Sequence, residues 1–136
     1  MANLCYNAVF IMDAASEQIA EILEYAQDFD CEKIFPYPTP ENDNRNWRIN
    51  NWGSRGVAIS VSRSSEGEFY FDTAWTPQLG VTKKLSERFP EVSFKHSFYE
   101  GGVGFEGYSI FKNGDVLEKE FKYISDDDDG EEEDTP

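Results

Sequence analysis

The sequence predicts one α+β domain whose elements run in the order β-α-β-β-α-β, extended by a C-terminal β-hairpin and closed by a disordered acidic tail. Three patterns carry this reading. An apolar run leads into a helix-period segment at 4–29, two period-two runs flank a polar turn at 57–73, and Asn113-Gly114 separates two further strand-like runs. The 136 residues suit one compact domain with a modest core. Residues 1–124 are expected to form it, with 125–136 as the tail.

Leu4 to Ile11 is mainly apolar with one polar interruption at Asn7, the composition of an interior strand. Asp13 is placed to cap the helix that follows. There Ala15, Ile19, Ile22, Leu23, Ala26 and Phe29 make an apolar face, while Glu17, Glu21, Glu24 and Asp28 recur at helical spacing on another.

Within a long connection at 31–56, the pattern breaks from Cys31 to Asn46. Pro36, Pro38 and Pro40 lie close together there and precede a polar run, so that stretch is expected to hold neither a helix nor a central strand. Alternation returns with Val57, Ile59 and Val61, then Phe69, Phe71 and Thr73 beyond a turn at 64–67, which predicts a hairpin. Thr76-Pro77 reads as the N-cap and first turn of a second helix, anchored by Leu79, Val81, Leu85 and Phe89 and ended by Pro90.

Val92, Phe94, His96 and Phe98 alternate with polar residues as a further strand. Gly101-Gly102 then turns into the run 103–111, and Asn113-Gly114 joins it to 116–124. The first six elements match a ferredoxin-like split-βαβ sheet with two helices on one side. The added hairpin either extends that sheet or curls across its open face.

Several short motifs resemble one known family. Asn46-Trp47-Arg48-Ile49-Asn50-Asn51-Trp52-Gly53, Phe71-Asp72-Thr73-Ala74-Trp75-Thr76-Pro77, Leu85-Ser86-Glu87-Arg88-Phe89-Pro90, Tyr99-Glu100 and Phe105-Glu106-Gly107 look like the Api92-like proteins with a YubB-type ferredoxin-like domain. The likeness covers roughly 35–117. It implies a ferredoxin-like fold and a product of a phage, plasmid or integrated mobile element. It implies no enzymatic activity and carries over no active-site residue.

Charge narrows the function further. The formal net charge is −15, and the tail supplies eight acids and no base. Residues 1–46 add nine acids against Lys33 and Arg45, whereas 47–124 are balanced. Such a field repels a phosphate backbone, so direct nucleic-acid binding is disfavoured. No apolar run is long enough to span a bilayer and no secretory leader is evident, so the expected location is the host cytoplasm. Cys5 and Cys31 suggest reduced thiols rather than a disulfide framework.

The expectation is a non-enzymatic acidic binding protein without cofactor or metal, directed at a basic host surface. Its carboxylates at Glu17, Glu21, Glu24 and Asp28 would imitate one edge of a nucleic-acid backbone and block a nuclease or another defence protein. Trp47, Arg48, Trp52 and Arg55 are further partner-binding candidates, since tryptophan and arginine are enriched in binding hot spots. They compete with a structural role, in which the tryptophans lock the long loop and Arg48 meets Asp72.

The alternatives are a small domain that binds an anion or acts as an enzyme through residues 45–75, with Arg45, Arg48, Arg55 and Asp72 as polar groups and Trp47, Trp52 and Trp75 as walls, or a homo-oligomer built through a sheet edge. The loop from Gly53 to Gly56 has the spacing of neither a P-loop nor a dinucleotide fingerprint. His96 reads as a packed strand histidine, and Glu100 and Glu106 as exposed turn charges. The tail lacks the spaced ligands of an EF-hand.

Overall fold

The computed structural model describes residues 3–36 and 45–124. The acidic tail, and the prolines at 38 and 40, lie outside the described residues. The elements are β1 (Leu4–Met12), α1 (Ser16–Ala26), α2 (Cys31–Ile34), α3 (Arg45–Asn51), β2 (Ile59–Ser64), β3 (Glu68–Ala74), α4 (Leu79–Arg88), β4 (Ser93–Glu100), β5 (Phe105–Lys112) and β6 (Asp115–Tyr123).

The strands form one six-stranded sheet in the order β2-β3-β1-β4-β5-β6. Every neighbouring pair is antiparallel. β3 lies between β1 and β2, which is the split-βαβ arrangement expected. The C-terminal hairpin extends the sheet past β4 rather than crossing its face. Asn113 (φ 51°) and Gly114 (φ 80°) both take positive φ, as a tight primed hairpin turn requires.

Period-two alternation sends Cys5, Asn7 and Val9 of β1, Phe69, Phe71 and Thr73 of β3, and Phe94, His96 and Phe98 of β4 to one buried face. Over it pack Ile22 and Ala26 of α1 and Val81 and Leu85 of α4. Phe29 stacks on Phe71 at 4.6 Å and tilts against Phe69 at 5.4 Å. Each aromatic of that size contributes about 1.5–3 kcal/mol when fully buried. A smaller cluster of Cys5, Phe98 and Phe105 continues the core beneath β5.

Four expectations are corrected. Ala15, not Asp13, is the N-cap of α1 and makes no side-chain cap, while Asp13 takes φ 59° in the turn before it. Phe29 is buried from a turn beyond the helix: α1 stops at Ala26, and Gln27 and Phe29 both adopt positive φ. The carbonyls of Leu23 and Gln27 accept hydrogen bonds from Arg63 Nη1 at 2.7 and 2.9 Å, so a cation closes the negative end of the helix.

The third correction concerns the connection, whose described residues include two short helices, α2 inside the stretch expected to be free of helix and α3 starting at its end. Asp30 caps α2 by accepting from the amides of Glu32 and Lys33 at 3.1 and 3.4 Å. α3 is free of proline and ends at Asn51, and beyond it the Gly53 amide donates to the carbonyl of Arg48 at 3.1 Å with φ 100°. Gly80 lets α3 touch α4: its amide donates to the Trp52 carbonyl at 2.9 Å, and a Cβ there would lie 1.7 Å from the Asn51 carbonyl oxygen.

Fourth, α4 starts at Leu79 with Gln78 as its N-cap, because Thr76 Oγ1 is directed back to the Gly53 carbonyl at 2.6 Å. β2 starts at Ile59 and is bulged between Ile59 and Ser62, with Ser60 at φ 55°. Val57 and Ile59 therefore lie exposed at the sheet's edge.

Candidate functional site

Glu17, Glu21 and Glu24 lie along the exposed side of α1, opposite the buried Ile22 and Ala26. The spacing was legible because positions 17, 21 and 24 return to one side of a helix with 3.6 residues per turn. Asp28 continues the row past the helix end and approaches Arg63 Nε at 4.0 Å. Asp30 and Glu32, also exposed, extend it around a depression of about 460 Å³. Among the described residues the three helix glutamates have no ion-pair partner.

The tryptophan and arginine candidates lie elsewhere and serve the connection. Trp52 is fully buried and its Nε1 donates to the Phe35 carbonyl at 2.7 Å. Half-buried Trp47 meets Phe35 and Trp52 edge-on at 5.5 and 5.9 Å. Arg48 Nε donates to the Arg55 carbonyl at 2.5 Å, and the Arg55 guanidinium lies 6.0 Å from the Trp75 ring centre. Trp52 thus offers no surface to a partner. The expected contact between Arg48 and Asp72 is not made, because Asp72 alternates with buried Phe71 and Thr73 and points to the other side of the sheet. Arg45 opens α3, and its side chain lies outside the described residues.

A buried polar network joins β1, β3, β4 and α4. Asn7 Nδ2 donates to the Cys5 carbonyl and to Thr73 Oγ1, both at 3.0 Å, which leaves Asn7 Oδ1 as an acceptor. His96 Nε2, 2.7 Å away, must then be the protonated nitrogen, and His96 Nδ1 accepts from Thr82 Oγ1 at 2.7 Å. Burial without a counter-charge pushes His96 down to about 3, so it is neutral at physiological pH. Gln78 joins the network through its amide to Asn7 Oδ1, and its Nε2 holds Ser54 and the Gly56 carbonyl. The loop around Gly53 is therefore tied inward.

Burial pushes the Cys5 and Cys31 thiols up to about 12, which removes thiolate reactivity near neutral pH. Among the described residues no cluster of three or more His, Cys, Asp or Glu side chains is placed to hold a metal. No described helix is long and apolar enough to cross a membrane.

Glu100 corrects another expectation. It is fully buried, not an exposed turn charge, and accepts from the Val103 amide at 2.7 Å and from Asn3 Nδ2 at 3.2 Å. Glu106 pairs with Tyr99 across the strands, one residue out of step with Glu100 and Phe105, so the two carboxylates occupy opposite faces. Glu106 instead forms an ion pair with Lys122 at 3.4 Å.

The feature absent from the sequence reading is a tyrosine-lined trough on the uncovered side of the sheet. Tyr6, Tyr70 and Tyr99 are 53%, 42% and 45% exposed there. Tyr6 and Tyr99 face each other across β1 and β4 and stack at 6.3 Å with 14° between planes. Ala8 lies directly opposite Tyr70 on one side and Ser97 on the other, so two small side chains floor a trough of about 370 Å³. Tyr70 donates to Glu68 at 2.8 Å, and Tyr108 donates to Glu118; each bond raises the phenol's pKa. Tyrosine at every second position of Cys5-Tyr6-Asn7, Phe69-Tyr70-Phe71 and Phe98-Tyr99-Glu100 was the available signal.

Beneath β5 and β6, a separate apolar groove of about 400 Å³ lies beside Pro77, Val103, Phe121 and Tyr123. It exists because the two extra strands run past the cover of α1 and α4.

Comparison with curated proteins finds no match. The solved structure of a protein api92 from Yersinia pseudotuberculosis is similar over 71% of this chain, with a TM-score of 0.55 and 16% sequence identity, a likeness that carries the fold alone. This chain spans 40% of the length of that protein. Residues 56–135, more than half of the chain, match the family model described as the ferredoxin-like domain in Api92-like protein. The chain belongs to that family.

Proposed function

We propose that the protein is a non-enzymatic binding module of a phage or mobile element whose acidic surface occupies a basic site on a host protein. The supporting observation is the row Glu17, Glu21 and Glu24, held exposed on a helix whose opposite side is locked in the core. Successive members are separated by about 4.5 to 6 Å along the axis, on the order of phosphate spacing in a nucleic-acid strand. A rigid row avoids the ordering cost that a flexible acidic segment incurs on binding. Basic surfaces that accept such a row are those of nucleic-acid-handling proteins, including nucleases and defence components.

Commitment of both thiols and the single imidazole to the core favours binding over cysteine- or histidine-based catalysis. The 45–75 region offers a weaker site for a small anion: Trp52 fills the interior and Arg48 Nε is engaged by a backbone carbonyl.

The test is capture of host proteins from plasmid-bearing or infected cells at low and high salt, with intact protein and with a variant carrying Glu17→Gln, Glu21→Gln, Glu24→Gln and Asp28→Asn. A basic nucleic-acid-binding protein retained at low salt should be lost with the variant, and its salt dependence should flatten. Equal capture by both proteins would remove the helix from the interface.

A further inference from the structure

We propose that the uncovered sheet face holds a second recognition site, a tyrosine-walled trough that receives an arginine side chain from the same basic partner. This rests on the reading of the protein as a binder of basic surfaces and adds a site of different chemistry, on the side of the sheet away from α1.

The walls are π surfaces. Tyr6 and Tyr99 lie nearly parallel on one side of the floor, and Tyr70 stands across it. Ring faces attract cations through the aromatic quadrupole, and a planar guanidinium also stacks on them. Asp72 lies directly opposite Tyr6 across β1 and β3, so a carboxylate marks the end of the trough toward β3. A flat cation with a carboxylate beside it is better served by arginine than by lysine, because the guanidinium donates from a fixed fork. Ala8 and Ser97 at the floor leave room for the arginine's methylene stem along the backbone.

The same face already makes such a contact within the chain. Tyr108 donates to Glu118, and Lys95 Nζ lies 4.8 Å above its ring. Tyr70 repeats the first half, donating to Glu68, while no cation among the described residues lies over its ring. Charge on the face agrees. Glu68, Asp72, Glu106, Asp115, Glu118 and Glu120 point there against Lys95, Lys112 and Lys122, and Lys122 is paired with Glu106.

The experiment is titration of isotopically labelled full-length protein with a short arginine-rich peptide, its lysine counterpart and an uncharged glutamine counterpart. Amide shifts should move at Ala8, Ser97 and Asp72 with the arginine peptide, less with lysine and not with glutamine. Tyr6→Ala and Ala8→Leu, which fills the floor, should each weaken arginine-peptide binding about three- to tenfold, the range of a single cation–π contact. Asp72→Asn should weaken it and flatten its salt dependence.

Shifts confined to α1, with Ala8→Leu and Tyr6→Ala binding as tightly as the parent, would overturn the trough and leave the helix reading intact. Loss of trough shifts in the quadruple α1 variant would overturn its independence from that helix. The shift map of the unsubstituted protein decides the question even if a trough variant fails to fold.

Discussion

On one side of β1, Cys5, Asn7 and Val9 are sealed beneath α1 and α4, whereas Tyr6 and Ala8, each one residue along, line an open trough. The same alternation divides β3 and β4. On the covered side, polar groups bond to one another, as Asn7, His96, Thr82 and Gln78 do. On the open side, the hydroxyls of Tyr70 and Tyr108 reach carboxylates, and the rings of Tyr6, Tyr70 and Tyr99 remain about half exposed. The covered network meets most of its polar requirements within the chain, Gln78 Oε1 being a buried acceptor without a partner among the described residues; the open face has ring area and negative charge to offer another molecule. Substitutions should therefore cost stability on the first and binding on the second.

The largest stability effect is expected where the connection enters the core. Trp52→Ala removes a fully buried indole and its 2.7 Å bond to Phe35. It should cost about 3–5 kcal/mol, read as a lower urea midpoint with little change in slope. An effect below about 1 kcal/mol would show that the helices of the connection are dispensable to the covered face.

Acid should probe the same face through His96. Its folded pKa is about 3 against an unfolded value near 6.5, so both states are neutral above pH 6.5 and the histidine contributes no slope there. Between pH 6.5 and 3 the unfolded chain binds a proton that the native state refuses. Stability therefore falls with falling pH by up to about 1.4 kcal/mol per unit, and this contribution levels off below pH 3. Relief of repulsion among the many carboxylates acts in the opposite direction, so the informative quantity is the difference between parent and His96→Gln. Parallel pH profiles for the two would place His96 in contact with water or a counter-charge.

The covered face was the more legible in the sequence. Phe69, Phe71, Phe94 and Phe98 announce it by alternation, and Asn113-Gly114 announces its last hairpin, because both signals are local. The direction in which that hairpin docks depends on β4 offering a free edge, which no local pattern encodes. The helices α2 and α3 were hidden by the prolines beside them, and their stability comes from contacts such as Trp52 over Phe35 and Gly80 beneath Asn51. Of the candidate surfaces, the α1 row was readable because helical spacing alone assembles it. The trough was not, since strand pairing brings Tyr6, Tyr70 and Tyr99 together from distant parts of the chain and tyrosine is at home both inside and outside.

The smallest stability effect should come from the open face, where Tyr70→Ala removes an exposed hydrogen bond to Glu68 and an edge contact with Phe10 at 6.1 Å. Both are cross-strand or surface interactions, each about 0.2–1 kcal/mol, and the ring's exposed area loses no burial when it is cut away. The urea midpoint should shift by no more than about 1 kcal/mol, while arginine-peptide affinity falls severalfold. A large stability loss would mean that Tyr70 supports the fold as the covered aromatics do. A small loss with weakened binding would show that one strand, through residues a single position apart, builds the core with one face and recognises a partner with the other.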